Sequence, residues 1–268
     1  MNFKDNNQVC VFVSSSDNTK DVFNQASKSI IANWNDIPYK LYVGVNSYSK
    51  NINDKFTQIT SNIKGWRYEL LNQVNQLPNN INYLILFLDD FLILSDVQTS
   101  KIIKIVDQAI KEKIDYLRFI PCSRAWASIL IRKILNKSNA NKKWEKLDIN
   151  TPYYSSLQIA LWNKKHLIKM LKQSGSIWDF EHQIRTKIPH FAVYTPLINY
   201  THVVEKGKWI YGIDKLFMSQ SLTFNGGKRG FLPPTFKYKC IIGKIKFWFF
   251  GYSLMILKRK VINFINLY

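Results

Sequence analysis

Acidic residues are scarce in this chain and stop early. Its 268 residues carry 18 Asp and Glu against 38 Lys and Arg, a formal net charge of +20 at pH 7, and no acid lies beyond Asp214. Ten cations follow that point, from Lys215 to Lys260, so half of the excess charge sits in the last fifth of the chain. Charge gathered at one end describes a local basic surface, not a uniformly basic protein. Arginine is scarce as well: seven of the 38 cations, the rest being lysine among many Asn and Ile, a skew that an AT-rich genome produces as readily as selection for a polyanion. Cys10, Cys122 and Cys240 are the only cysteines. They are odd in number, far apart and without CxxC spacing, which excludes a disulfide framework or zinc site and suits small buried hydrophobes in a reducing compartment. Neither GxGxxG nor GxxxxGKS occurs, so neither a dinucleotide fingerprint nor a P-loop is present. No apolar segment opens the sequence; a secretory signal is not expected, and the chain is expected in the cytoplasm.

What the chain has is apolar content, 46% with 15% aromatic, enough for one large core. VCVFV (9–13) is a continuous apolar run that ends in Ser14, Ser15, Ser16 and Asp17, which predicts a buried strand and a polar loop. DVFNQASKSIIANW places Val22, Phe23, Ala26, Ile30 and Trp34 at helical spacing. KLYVGVN (40–46) predicts a strand and WRYELLNQVNQL a helix. YLILFL (83–88) predicts the third strand. Ser95 and Gln98 are spaced like a capping box before a stripe of Ile102, Val106, Ile110 and Ile114, and YLRFI (116–120) predicts the fourth strand. Residues 121–152, rich in Lys and Asn, read as a mobile surface excursion. YYSSLQIALW (153–162), a short helix KHLIKMLKQ, SIWDFE (176–181) and a strand over FAVYTPLINY follow. Strands alternating with amphipathic helices predict an α/β fold, a mostly parallel two-sided sheet flanked by helices. In such sheets ligands bind beyond the carboxyl ends of the strands.

YLILFLDDF (83–91) drives a buried strand into two adjacent carboxylates. Asp89 and Asp90 repel each other, and burial near the apolar run costs desolvation, so a positive group, most simply a divalent cation, is expected to meet them. Capping of a following helix is the plainer alternative, but capping needs one Asp, and both fall on the same sheet edge as Ser14–Asp17. SIWDFE carries a second acidic pair, Asp179 and Glu181, open at this stage between a site and a solvated helix start.

Taken in order, VFVSSSDNTKDVF, NWNDIPYKLYVGVN, GWRYELL, YLILFLDDFLI, YLRFIP, YYSSLQIALWNKKHLIKMLKQSGSIWDFE and HVVEKGKW resemble a family of bacterial GT-A-type glycosyltransferases from capsule and O-antigen gene clusters. The resemblance spans roughly residues 9–215, with the DDF and WDFE segments its most specific parts. It implies a GT-A-like, Rossmann-like catalytic domain over 1–215 and sugar transfer from a nucleotide-diphosphate donor with Mn²⁺ or Mg²⁺. The usual Asp-x-Asp triplet stands here as Leu88-Asp89-Asp90-Phe91, which loosens the implied metal dependence. Within the pair, the resemblance makes Asp90 the direct metal ligand and Asp89 a partner of the ribose or of the metal's ligands, with His202 closing the metal shell. Lys206 and Lys208 would contact the diphosphate, and Ser14, Ser15 and Asp17 the base and ribose. An inverting transfer needs a carboxylate to take the acceptor's proton; Glu181 is the candidate base and Asp179 its competitor. Lone histidines and lysines of a Lys-rich chain are equally well ordinary structural residues. Trp162 reads first as core, with Gln158 beside it, and Arg118 and Arg124 could reach phosphates.

Residues 216–268 form a basic, aromatic region whose longest uncharged run, Phe247–Leu257, has 11 residues, well short of the roughly 20 that span a bilayer. It reads as an amphipathic segment lying on the inner face of the cell membrane, as suits a lipid-linked oligosaccharide acceptor, or else as a helical subdomain. The alternative to an enzyme is a basic binding module for anionic lipid or nucleic acid; a nucleic-acid binder has no need for DDF, so no nucleic-acid partner is expected. A two-metal phosphoesterase would require more His and Asp ligands.

Overall fold

A computed structural model describes residues 7–121, 143–150, 153–173, 175–182 and 185–235. Cys122, Arg124, Cys240 and the basic tail from residue 236 onward lie outside them. The chain falls into two compact units, Met1–Val203 and Val204–Tyr268.

The first unit is an eight-stranded sheet in the order β3-β2-β1-β4-β8-β6-β9-β7. Its strands are β1 (Val9–Ser14), β2 (Lys40–Val45), β3 (Phe56–Thr60), β4 (Tyr83–Leu88), β6 (Tyr116–Arg118), β7 (Trp144–Lys146), β8 (Ala160–Asn163) and β9 (Phe191–Val193). The pairs β1–β2, β2–β3, β1–β4 and β6–β9 are parallel. Strand β8 runs antiparallel to both β4 and β6, and β7 antiparallel to β9. Six of the eight strands therefore share one direction. A short ribbon of β5 (Phe91–Ile93) and β10 (Tyr200–His202) stands beside this sheet.

Alternation along the strands divides the core. Val9, Val11 and Val13 of β1 with Ile85 and Phe87 of β4 face α1 (Lys20–Asn33) and α3 (Thr99–Lys111). Cys10 and Phe12 with Leu84 and Leu86 face α2 (Trp66–Gln76) and α4 (Lys164–Gln173). Every residue of β1 is buried, the continuous apolar strand that a two-sided sheet demands. Cys10 is fully buried, and burial pushes its thiol up to about 12, so it packs as an apolar residue. At Gly44 a Cβ would stand 2.1 Å from Gln73 Oε1, so only glycine leaves room for the buried Gln73 amide, which donates to Val45 O.

Three expectations are corrected. The excursion over 121–152 contains an ordered edge strand, β7, because Trp144 and Glu145 pair with Val193 and Ala192. The strand expected over FAVYTPLINY divides into β9 and β10, which serve different sheets. Helix α3 starts at Thr99 with Gln98 at its N-cap, so Ser95 and Gln98 form no capping box.

Beneath β8 and β9 lie two buried histidines. His190 Nδ1 donates to the Tyr154 carbonyl at 3.1 Å, which leaves its Nε2 as the acceptor for His166 Nε2–H at 2.9 Å. Burial pushes His190 down to about 3, and burial with nearby Lys169 pushes His166 down to about 4. Unfolded histidines take up protons near pH 6.5 and these do not, so stability is intact above that pH and is lost as pH falls toward 4. Each tenfold loss of proton affinity on folding is worth about 1.4 kcal/mol, so protonation removes on the order of several kcal/mol through the pair. The unfolding midpoint should drop steeply between pH 6.5 and pH 4; a flat profile there would contradict a neutral pair.

The second unit holds a hairpin of β11 (Val204–Glu205) and β12 (Lys208–Trp209) and helix α6 (Ile213–Ser219). Its two-residue turn, Lys206-Gly207, has φ of 51° and 73°, the type I′ geometry that favours glycine. Trp209 is buried against Phe224 and donates from Nε1 to Gly226 O.

Candidate active site

The order β3-β2-β1-β4 places the chain reversal between β1 and β4, and in open α/β sheets the crevice outside that point binds ligands. Asp89 and Asp90 follow β4 there, and Ser14 and Ser15 close β1 beside them. The edge is tied together by backbone bonds: Asp89 N donates to Ser14 O and Ser15 N to Gly44 O, both at 3.1 Å.

The two carboxylates have different surroundings. Asp89 Oδ2 accepts from Ser15 Oγ at 2.7 Å. Burial pushes its carboxyl up to about 7 against hydrogen bonds from Thr19 and Ser15, and the charge of Asp90 raises it further. Near neutral pH Asp89 thus sheds much of its charge, which is how adjacent carboxylates stand together at the end of an apolar strand. Asp90 Oδ2 instead meets His202 Nδ1 at 3.1 Å, while Asp90 Oδ1 is buried without a hydrogen-bond partner. The β5–β10 ribbon makes this contact: Phe91 pairs with His202, packs edge-on against its ring, and Val203 N donates to Asp90 O.

Asp17 lies nearby in sequence but is differently engaged. Ser47 Oγ donates to its Oδ2 at 2.5 Å and Ser47 N to its Oδ1 at 3.2 Å. Slight burial works against ionisation, yet these bonds and Lys20 hold its carboxyl below the usual range. It fastens the β1 loop to the end of β2.

Glu181 reaches the same edge by another route. Because β8 is antiparallel to β4, with Leu86 opposite Ala160, the loop entering β8 lies at the carboxyl end of β4. Glu181, on the two-turn helix α5 (Ile177–His182), accepts at Oε1 from Leu157 N at 2.8 Å and Ser156 Oγ at 3.3 Å in that loop. Asp179 on the same helix has a different task. Its Oδ2 accepts from Ser176 N and Oγ, and Ser176 Oγ accepts from Asp179 N, a reciprocal cap. Those bonds hold its carboxyl below the usual range. Trp162 is fully buried, core as expected, and Gln158 Oε1 accepts from Tyr200 OH at 3.0 Å.

The first unit thus gathers Ser14, Ser15, Asp89, Asp90, His202 and Glu181 on one edge of its sheet. Lys206 and Lys208 belong to the hairpin of the second unit. Thr19, Tyr200 and the Ser156–Leu157 loop were not singled out in sequence; three hydroxyls and one backbone donor carry no periodic signal. Among the described residues no group of three or more His, Cys, Asp or Glu is arranged to hold a metal ion. Asp90 and His202 nevertheless fit a cation that took its remaining ligands elsewhere: Asp90 Oδ1 is without a hydrogen-bond partner, and carboxylate oxygen and imidazole suit such ions.

No family model and no curated protein matches the sequence. Solved structures aligned with the chain include the galactosyltransferase LgtC in complex with donor and acceptor sugar analogs (13% identity, 67% of this chain and 66% of that one, TM-score 0.39). TarS of S. aureus aligns at 11% identity over 80% of this chain and 39% of its own, TM-score 0.44. A cytidylyltransferase from Leptospira borgpetersenii aligns at 8% identity over 65% and 68%, TM-score 0.36. The chain spans just under two thirds of LgtC and well under half of TarS. Glycosyl and nucleotidyl transferases stand side by side at this level, so these alignments describe what the chain is similar to and do not decide its activity.

Proposed function

We propose that the chain is a glycosyltransferase of the GT-A type, moving a sugar from a nucleoside-diphosphate donor to a glycan acceptor in bacterial surface-polysaccharide synthesis. The observation that carries this reading is the split carboxylate pair at the β1–β4 reversal, Asp89 held by Ser15 and Asp90 facing His202. The motif resemblance over residues 9–215 supports it. Asp90 and His202 would hold a divalent cation, and Asp89 would stand behind them as an orienting group. When bound, the cation neutralises charge on the departing diphosphate.

Glu181 acts as general base on the acceptor hydroxyl, giving inversion. Its Oε1 is anchored by the loop, which orients the carboxylate without occupying both oxygens. For Lys206 and Lys208 the motif resemblance alone supports a role toward the diphosphate. The acceptor is lipid-linked, reached by the acid-free basic tail at the inner membrane face. Among the described residues no helix is long and apolar enough to cross a membrane.

The test is a shift in unfolding midpoint with UDP, GDP, CDP and ADP, each with and without Mn²⁺. One base should stabilise the protein strongly, and only with the cation. Stabilisation by none of the four would overturn the donor assignment.

A further inference from the structure

Arg118 ends β6 and is only 5% exposed. It is opposite Ala160 of β8 on one side and Ala192 of β9 on the other. Since β6 runs in the direction of β4, Arg118 stands toward the same carboxyl end of the sheet, two strands from β4 and level, through Ala160, with Leu86, four residues before Asp90. Its Nε and Nη2 are sealed from solvent and have no hydrogen-bond partner. A guanidinium cannot give up its charge, and a buried charge without compensation is strongly destabilising.

Among the described residues no carboxylate is shown paired with Arg118. All acidic residues except Asp5 are among the described residues, and none of those forms an ion pair with Arg118. Glu145 is next in register, beyond Ala192, and its Oε1, like Arg118 Nε and Nη2, has no hydrogen-bond partner. His190, which burial keeps neutral, and Tyr200, which also feels Asp90, both feel the charge of Arg118. Ser155, fully buried in the loop entering β8, likewise has a hydroxyl without a partner.

The two vacant donors of Arg118 are not a random pair. Nε–H and Nη2–H form one edge of the guanidinium fork, spaced to grip two oxygens of a single oxyanion. We propose that Arg118 is a substrate-binding residue whose Nε–Nη2 edge takes an oxyanion of the substrate, a phosphate or a carboxylate, beside Tyr200. This deepens the glycosyl-transfer reading: either the donor's diphosphate extends across the edge to β6, or the transferred or accepting sugar is itself acidic.

The experiment follows the unfolding midpoint of the full chain and its Arg118→Met, Arg118→Lys and Glu145→Gln variants, alone and with inorganic pyrophosphate or glucuronate. Without either anion, Arg118→Met should unfold several degrees above the unmutated protein, because it removes an uncompensated buried charge. An anion should raise the midpoint of the unmutated protein and leave Arg118→Met unmoved. Arg118→Lys, which keeps the charge without the fork, should lose most of the response. A response to pyrophosphate assigns the oxyanion to the diphosphate; one to glucuronate assigns it to an acidic sugar. A lower midpoint or failure to fold in Arg118→Met, matched by a loss in Glu145→Gln, would show an internal counter-ion and overturn the proposal. So would equal anion responses in all variants, or none in the unmutated protein. Failure of the nucleotide panel beside an intact, Arg118-dependent anion response would remove the transferase reading and leave this one standing.

Discussion

Replacing Asp90 by asparagine should abolish cation-supported nucleotide binding while leaving the fold intact. The substitution keeps size and shape, and the bond from Val203 N uses the backbone carbonyl of residue 90, not its side chain. What is lost is the charge facing His202 at 3.1 Å and the orphaned buried oxygen beside it. The loss should exceed the roughly 10–100-fold that removing a mere orienting partner of a metal ligand costs. Asp89→Asn should fall within that smaller range, since Asp89 meets Ser15 and Thr19 rather than open space. Calorimetric titration of the nucleoside diphosphate with Mn²⁺ measures both. An unchanged affinity and cation requirement in Asp90→Asn would remove Asp90 from the site.

Glu181→Gln should bind the donor nucleotide normally and transfer poorly, by about 10²–10⁴-fold if the carboxylate serves only as general base. Glutamine retains an oxygen for the Leu157 N–H and Ser156 Oγ bonds, so the loop stays anchored while the proton acceptor is gone. Asp179→Asn should leave the chemical step alone and loosen the start of α5, where its carboxylate holds Ser176. Single-turnover transfer at saturating donor separates the two, and NMR of the product reads the anomeric configuration. Equal rates for Glu181→Gln and the unmutated protein, or a retained configuration, would end the role given to Glu181.

Long apolar elements were legible from sequence because burial on both faces leaves a continuous run: YLILFL matches β4 residue for residue, and VCVFV and KLYVGV mark β1 and β2. The short elements were not. FTQIT of β3, FLI of β5 and WEK of β7 are too brief or too polar to show a period, and only pairing partners distant in sequence define them. The antiparallel sense of β8 was equally hidden, since direction depends on the connections and not on side-chain pattern. In the site, the carboxylates and His202 were visible as residue types. The unequal environments of Asp89 and Asp90 were not, because they arise from Ser15, 74 positions away, and His202, 112 positions away. Arg118 was visible only as a cation able to reach a phosphate; its burial and the vacant Nε and Nη2 are not legible in sequence.

The β5–β10 ribbon has a consequence for how the protein is made. A chain still on the ribosome, synthesised as far as β6, already contains the residues of β1 to β4, Ser15 and Asp89 among them. It lacks the partner of Asp90, which is supplied 112 residues later. Ligand can stabilise only a state that binds it, so under the proposed function cation-supported nucleotide binding, which needs both Asp90 and His202, would not assist the folding of the emerging N-terminal half. On that reading such assistance would begin only once residue 202 has left the exit tunnel, and the apolar strand β4 first finds shelter among its own neighbours.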